Sequence, residues 1–159
     1  MQLSELITVD DVLVPFEAID KWDAIRRLVD HLVDNGRISA SEGESIHEAV
    51  LARERSMSTG MEHGIAIPHA AVDGIEEVRA CLGIVPADEG LAFESVDGRE
   101  THLIVLLVIP RSKKLLHIRT LADIARVLSR EAVREALLKA DDGEAAWRVL
   151  AEGEAAAQA

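Results

Sequence analysis

Cysteine is almost absent. The one residue, Cys81, cannot form an internal disulfide. It lies in a strand-like run and reads as a small buried apolar side chain. Long apolar runs are missing too: the longest, Leu103 to Ile109, suits a buried strand and is far short of a membrane span. The N-terminus carries no charged-then-apolar leader, so the expected location is cytoplasmic, without membrane insertion. Basic residues are scarce, 17 against 29 acidic, for a net charge of -12. A chain so poor in cations lacks the surface that displaces counterions from a phosphate backbone, which argues against nucleic-acid binding. The balance fits a partner that presents a basic patch. There is no P-loop or glycine-rich nucleotide motif, so a phosphoryl group would not come directly from ATP. No carboxylate pair suggests hydrolysis, and no cofactor or resident metal is expected.

What is present is a chain of 159 residues, 48% of them apolar, enough for one domain over 1–159 with a real core. Val12 to Phe16 reads as a first strand. A helix follows from about Asp20, with Trp22, Ile25, Leu28, Val29, Leu32 and Val33 at helical spacing, stopped by Asn35-Gly36. His31 falls opposite that stripe, as an exposed residue. Ser39-Ala40-Ser41-Glu42 matches a capping box and opens a second helix to about Glu54. Ile65 to Ile67, Arg79 to Pro86 and Leu103 to Ile109 read as strands, the second buried on both faces. Helices are expected from the basic loop at Arg111–Lys114 to about Ser129, from Glu131 to Lys139, and from near Gly143. The Ala-rich tail 154–159 is expected to fray. Strands alternating with helices indicate an α/β domain, and strands separated only by turns indicate a mixed sheet.

Three residues stand out by placement. His69 follows Pro68, which should end the strand Ile65–Ile67 and leave the histidine at its exit. Arg53 continues the apolar stripe of the second helix, three residues after Val50 and seven after Ile46. It can snorkel to water or point at an anion. His117 stands four residues before Leu121, on the inward face of the next long helix. Strand ends and helix starts meet at the mouth of an α/β sheet, where ligands bind. One site would explain all three. A neutral imidazole is a competent nucleophile, and a phosphoryl group in transfer needs charge stabilisation more than covalent help. Arg53 offers a planar fork of donors. Ser58 and Thr59 can add hydrogen bonds, and His117 can donate to the same oxygens. Glu54 and Glu94 read as surface carboxylates.

These residues resemble a known family. Arg53-Glu54, Ser58-Thr59-Gly60 and Gly64-Ile65-Ala66-Ile67-Pro68-His69 look like the enzyme IIA domain of the fructose/mannitol/nitrogen-regulatory class of the sugar phosphotransferase system. Asp97-Gly98, the strand to Pro110 and His117-Ile118-Arg119-Thr120-Leu121-Ala122 are similar to its second half. The resemblance implies a three-layer sandwich, a central mixed sheet with helices on both faces. It implies that His69 accepts a phosphoryl group from the phosphocarrier HPr or a nitrogen-branch paralogue and passes it to an enzyme IIB, or signals by its phosphorylation state to a regulatory target. Arg53 would steady the phosphoryl group and His117 would assist. The chain has no room for the IIB and IIC parts of a permease, so it would serve separate chains or regulate.

Two departures motivate other readings. Glu62 stands where the family usually has Gly or Ala, as in a protein-binding module that has lost transfer. His63 is an added histidine, and with His69 and His117 it could hold zinc, although Arg53 beside them would repel a cation.

Overall fold

The computed structural model describes residues 2–158. Its centre is β5, Leu103–Pro110, in which all eight residues are buried. A strand apolar on both faces needs a layer on each side, and the chain supplies both. On one flank β5 pairs antiparallel with β4 (Arg79–Ile84), which pairs parallel with the short β1 (Val12–Leu13). On the other it pairs parallel with β2 (Ile65–Ala66) and β3 (His69–Val72). The sheet is mixed, as the turn spacing implied.

The helices α2 (Lys21–Asp34) and α3 (Ala40–Ser56) cover one face. Ile25, Leu28, Ile46 and Val50 pack there on Ala70, Cys81, Ile104 and Leu106. The helices α4 (Lys114–Leu128), α5 (Glu131–Leu138) and α6 (Gly143–Gln158) cover the other, with a short α1 (Leu3–Leu6). Ile124, Leu128, Leu137 and Leu150 pack there on Ile65, Leu82, Val105 and Leu107. Alternate residues of β4 and β5 thus feed two separate cores, as expected for Arg79–Pro86. Each fully buried leucine or isoleucine contributes about 1.5–3 kcal/mol by leaving water.

The elements differ from the sequence reading in instructive places. The helix α2 starts where expected, and Asp20 caps it, its carboxylate accepting from the Asp23 amide at 2.8 Å. Lys21, however, lies inside the stripe at 6% exposure, while Trp22 is 38% exposed. His31 is half-buried rather than exposed, with Nε2 3.4 Å from the buried Asp11 carboxylate. On α4, Thr120 and Val127 are buried while Leu121 and Ala125 are only partly so. The tail does not fray at 154: α6 runs to Gln158, and Glu154 is buried and accepts from Ser4 N and Oγ at 3.0 and 2.6 Å. A carboxylate tied to the N-terminal segment offsets the entropy of ordering that turn; Ala159 lies outside the described residues. Among the described residues no helix is long and apolar enough to cross a membrane.

Candidate functional site

Pro68 interrupts the strand as expected, β2 stopping at Ala66, but β3 resumes at His69 along the same neighbour. The proline removes one donor from a strand that otherwise continues. Ile65 and Ala66 pair with Leu103 and Ile104, and His69 pairs with Leu107. The partner offset is the same before and after the proline, so no residue is slipped or bulged. The Pro68 carbonyl still accepts from the Leu107 amide at 3.0 Å. The 59–61 loop bridges the other edge only up to Ile67, through Gly60 opposite Ala66 and the Thr59 carbonyl on the Ile67 amide, so among the described residues Pro68 faces no partner on that edge and is tolerated there. His69 therefore opens the second half of an edge strand rather than standing at an exit. The unbroken alternation places it on the face of Ile65 and Ile67, toward α4.

His69 is 9% exposed, and its Nδ1 lies 2.7 Å from the Ile67 carbonyl oxygen. A carbonyl only accepts, so Nδ1 carries the proton and Nε2 keeps the lone pair in the neutral ring. Burial pushes the imidazolium pKa below its usual value, and the nearby Arg53 and His117 push the same way. The ring is held in its nucleophilic form.

The His117 ring stands edge-on to that of His69, with centroids 5.3 Å apart and planes at 73°. It comes from the first turn of α4, where the helix leaves β5 and doubles back over the sheet. Burial, then Arg53, lowers its pKa as well. Arg53 reaches the same place from the last turn of α3. Its Nη1 donates to the Met57 carbonyl at 2.8 Å, and no carboxylate pairs with it among the described residues. Four of its five N–H donors remain for another acceptor. Arg53, the 58–61 loop, Ile67, His69 and α4 residues Leu121, Ala122 and Ala125 enclose a cleft of about 380 Å³. The three residues that sequence spacing singled out do meet.

The two hydroxyls do not serve as expected. Ser58 Oγ donates to the Phe93 carbonyl and accepts from the Gly60 amide at 3.2 Å. Thr59 Oγ1 donates to Glu54 Oε1 at 2.6 Å, and its amide donates to Oε2 at 2.9 Å. Each hydroxyl has one proton, and each is already committed. Ser58 and Thr59 are walls of the cleft rather than free donors toward it.

Glu54 is the residue that sequence reasoning misplaced. It is 2% exposed, not a surface carboxylate. Besides Thr59 it holds Lys21, whose Nζ is 3.4 Å from Oε2. Lys21 Nζ also lies 4.8 Å from the Trp22 ring centroid. From this pair a continuous path leads to the histidine. Glu54 binds Thr59, the Thr59 carbonyl accepts from the Ile67 amide at 3.3 Å, and the Ile67 carbonyl accepts from His69. The signal was in the spacing: Glu54 follows Ile46 and Val50 by eight and four residues, and Lys21 precedes Ile25 and Leu28 by four and seven.

The two departures, Glu62 and His63, lie outside the lining of this cleft. Glu62 points outward, its side chain 61% exposed and 3.7 Å from His63 Nε2, and it is not part of the cleft wall. His63 opens onto another cleft, with Arg99 and His102, so the three-histidine zinc site is not assembled. Glu44, His47 and Glu48 come together on α3, but Arg26 already bonds Glu44 and lies 3.1 Å from His47 Nδ1.

Comparison with known proteins agrees with this architecture. Residues 5–153 match the profile of the phosphoenolpyruvate-dependent sugar phosphotransferase system, EIIA 2. The chain is 31% identical over 153 residues to the fructose-specific EIIA component of Haloferax volcanii, covering 92% of this chain and 97% of that one. It is 29% identical over 145 residues to the fructose-specific EIIABC component of Bacillus subtilis, covering 91% of this chain but spanning only 22% of that longer protein. Its fold superposes on the crystal structure of nitrogen regulatory protein IIA-Ntr from Neisseria meningitidis with a TM-score of 0.82, at 24% identity, covering 93% of this chain and 98% of the other. A profile match over nearly the whole chain, together with a full-length relative, places this protein in the EIIA 2 family of the phosphoenolpyruvate-dependent sugar phosphotransferase system.

Proposed function

We propose that this chain, acting as one domain in the cytoplasm, is a phosphoryl carrier whose acceptor atom is Nε2 of His69. The observation that carries the reading is the 2.7 Å contact from His69 Nδ1 to the Ile67 carbonyl, which leaves Nε2 as the nucleophilic nitrogen. In the transfer, the N–P bond of a phosphohistidine carrier breaks as the Nε2–P bond forms. Nδ1 keeps its proton throughout. The positive charge gained by the ring is stabilised at the Ile67 carbonyl, and the protonated donor imidazole leaves neutral. Arg53 offers its unused donors to the phosphoryl oxygens, and His117 supplies a further N–H beside them. The donor is HPr or its nitrogen-branch paralogue, and the recipient is an enzyme IIB or a regulatory target. The loaded and unloaded states differ by about two negative charges in a cleft walled by apolar groups, a contrast that a partner can sense.

The test is incubation with each phosphorylated carrier, read by intact mass and by nitrogen-15 shifts of the histidine rings. The wild type should gain one phosphate at Nε2 of His69, and His69→Ala none. A wild type that gains no phosphate from any carrier, or gains it at Nδ1, refutes the proposal.

A further inference from the structure

The buried residues of α4 are Thr120, Ile124, Val127 and Leu128, one polar side chain among aliphatic ones. Thr120 is 0% exposed, and its Oγ1 has no hydrogen-bond partner among the described residues. A helical threonine ordinarily turns its hydroxyl onto a carbonyl one turn back. This one makes no such bond, and a buried polar group left unpaired is costly enough to need a reason. Packing does not supply one, since valine has the same shape.

Three residues before it on the same helix face stands His117. Burial, then Arg53, favours the neutral ring, which has one N–H and one lone pair. The Ile67 carbonyl selects the tautomer of His69. Neither ring nitrogen of His117 has a hydrogen-bond partner among the described residues, so nothing there selects its tautomer. To serve a phosphoryl group on His69, His117 must aim its N–H at that group. Side chains lean toward the N-terminus of their helix, so Thr120 leans back over the turn that carries His117, with Cβ atoms about 5–6 Å apart. Nδ1 is the ring nitrogen nearer the helix backbone, the one a short side chain can reach. Nε2 lies at the far tip.

We propose that Thr120 is a positioning residue for phosphoryl acceptance at His69, acting through His117. The proposal rests on the phosphoryl-carrier reading of His69. As the phosphoryl group arrives, Thr120 rotates about Cα–Cβ and its O–H donates to Nδ1 of His117. That bond holds the lone pair at Nδ1 and the proton at Nε2, which donates to a phosphoryl oxygen. No proton is transferred; only hydrogen bonds form. The cost of the orphaned hydroxyl falls on the unloaded state and is relieved in the loaded one, which biases the chain toward loading.

The test uses Thr120→Val, which keeps the shape and loses the hydroxyl, and Thr120→Ser, which keeps the hydroxyl. Each protein is incubated with phosphorylated HPr or its nitrogen-branch paralogue. Intact mass follows the rate of phosphate gain, and nitrogen-15 shifts of His117 are read before and after loading. Thr120→Val should resist urea at least as well as the wild type. It should nevertheless accept phosphate about five- to tenfold more slowly, the worth of one hydrogen bond between uncharged groups. Thr120→Ser should recover most of the rate. The loaded wild type and Thr120→Ser should show His117 as one tautomer, protonated at Nε2, and loaded Thr120→Val a mixture. A wild-type rate in Thr120→Val overturns the role of Thr120. So do identical loaded His117 shifts in the two proteins, even where the valine variant is slow, because the loss is then structural. A wild type that gains no phosphate from either carrier overturns the carrier reading, and this inference with it.

Discussion

Lys21→Met tests whether the path from Lys21 to His69 is mechanically real. The Lys21–Glu54 pair is separated by 3.4 Å, with side chains 8% and 0% exposed. Removing one partner of a buried pair costs about 3–5 kcal/mol, because the other charge is stranded away from water. Here Glu54 would keep both bonds from Thr59, and hydrogen bonds to a charged group are worth about 1.5–3 kcal/mol each. The loss should therefore sit at the low end, about 3 kcal/mol. Glu54→Gln retains the shape, but its NH₂ group cannot accept from the Thr59 amide. The double variant Lys21→Met/Glu54→Gln has no stranded charge, so it should recover part of the loss. Urea denaturation of the four corners of this cycle should give a coupling of about 2 kcal/mol. Phosphoryl acceptance should fall in both single variants, because the Thr59 wall and Ile67 move together. A coupling below about 0.5 kcal/mol, the level of a surface pair, would refute the reasoning. So would full acceptance by a Lys21→Met protein that is clearly destabilised.

Two further expectations follow from the same geometry. In Gly60→Ala the new Cβ would stand 2.6 Å from the Phe93 carbonyl oxygen and 3.0 Å from Ser95 Cα. Both are backbone atoms, so the 58–61 loop must shift, costing about 1–3 kcal/mol by thermal denaturation and slowing acceptance at His69. The lowered pKa of His69 means the folded state binds fewer protons than the unfolded state near and below the ordinary value of 6.5. Its contribution to stability is then fully present above about pH 6.5 and lost as pH falls through the lower folded-state value. Acceptance should follow the same course, flat from pH 7 to 8 and declining on the acid side. His69→Gln should remove this residue's share of the slope in pH-dependent denaturation; an unchanged slope would show that His69 does not carry it.

The sequence by itself determined the two-faced strands, the helix order and the inward placement of Arg53 and His117. These are local periodicities, and β4, β5 and α3 obey them because each must bury a fixed face. Pro68 was read by its local rule, loss of a donor, and the strand does break there, but the rule could not tell that it resumes at His69 in the same register. A strand held by β5 on one side tolerates the gap and keeps its register.

Only the tertiary structure decided what the polar groups near the site do. Ser58 and Thr59 looked like donors for a phosphoryl group until Phe93 and Glu54, the first 35 residues away in sequence, were seen to hold them. Glu54 itself was on the right face for burial, but a carboxylate is expected at the surface unless a partner is known, and Lys21 is 33 residues away. The nitrogen of His69 that keeps its lone pair was likewise beyond the sequence, since it depends on where one carbonyl points. Spacing along a chain tells which side a residue faces. Which atom waits there to meet it depends on how distant segments pack.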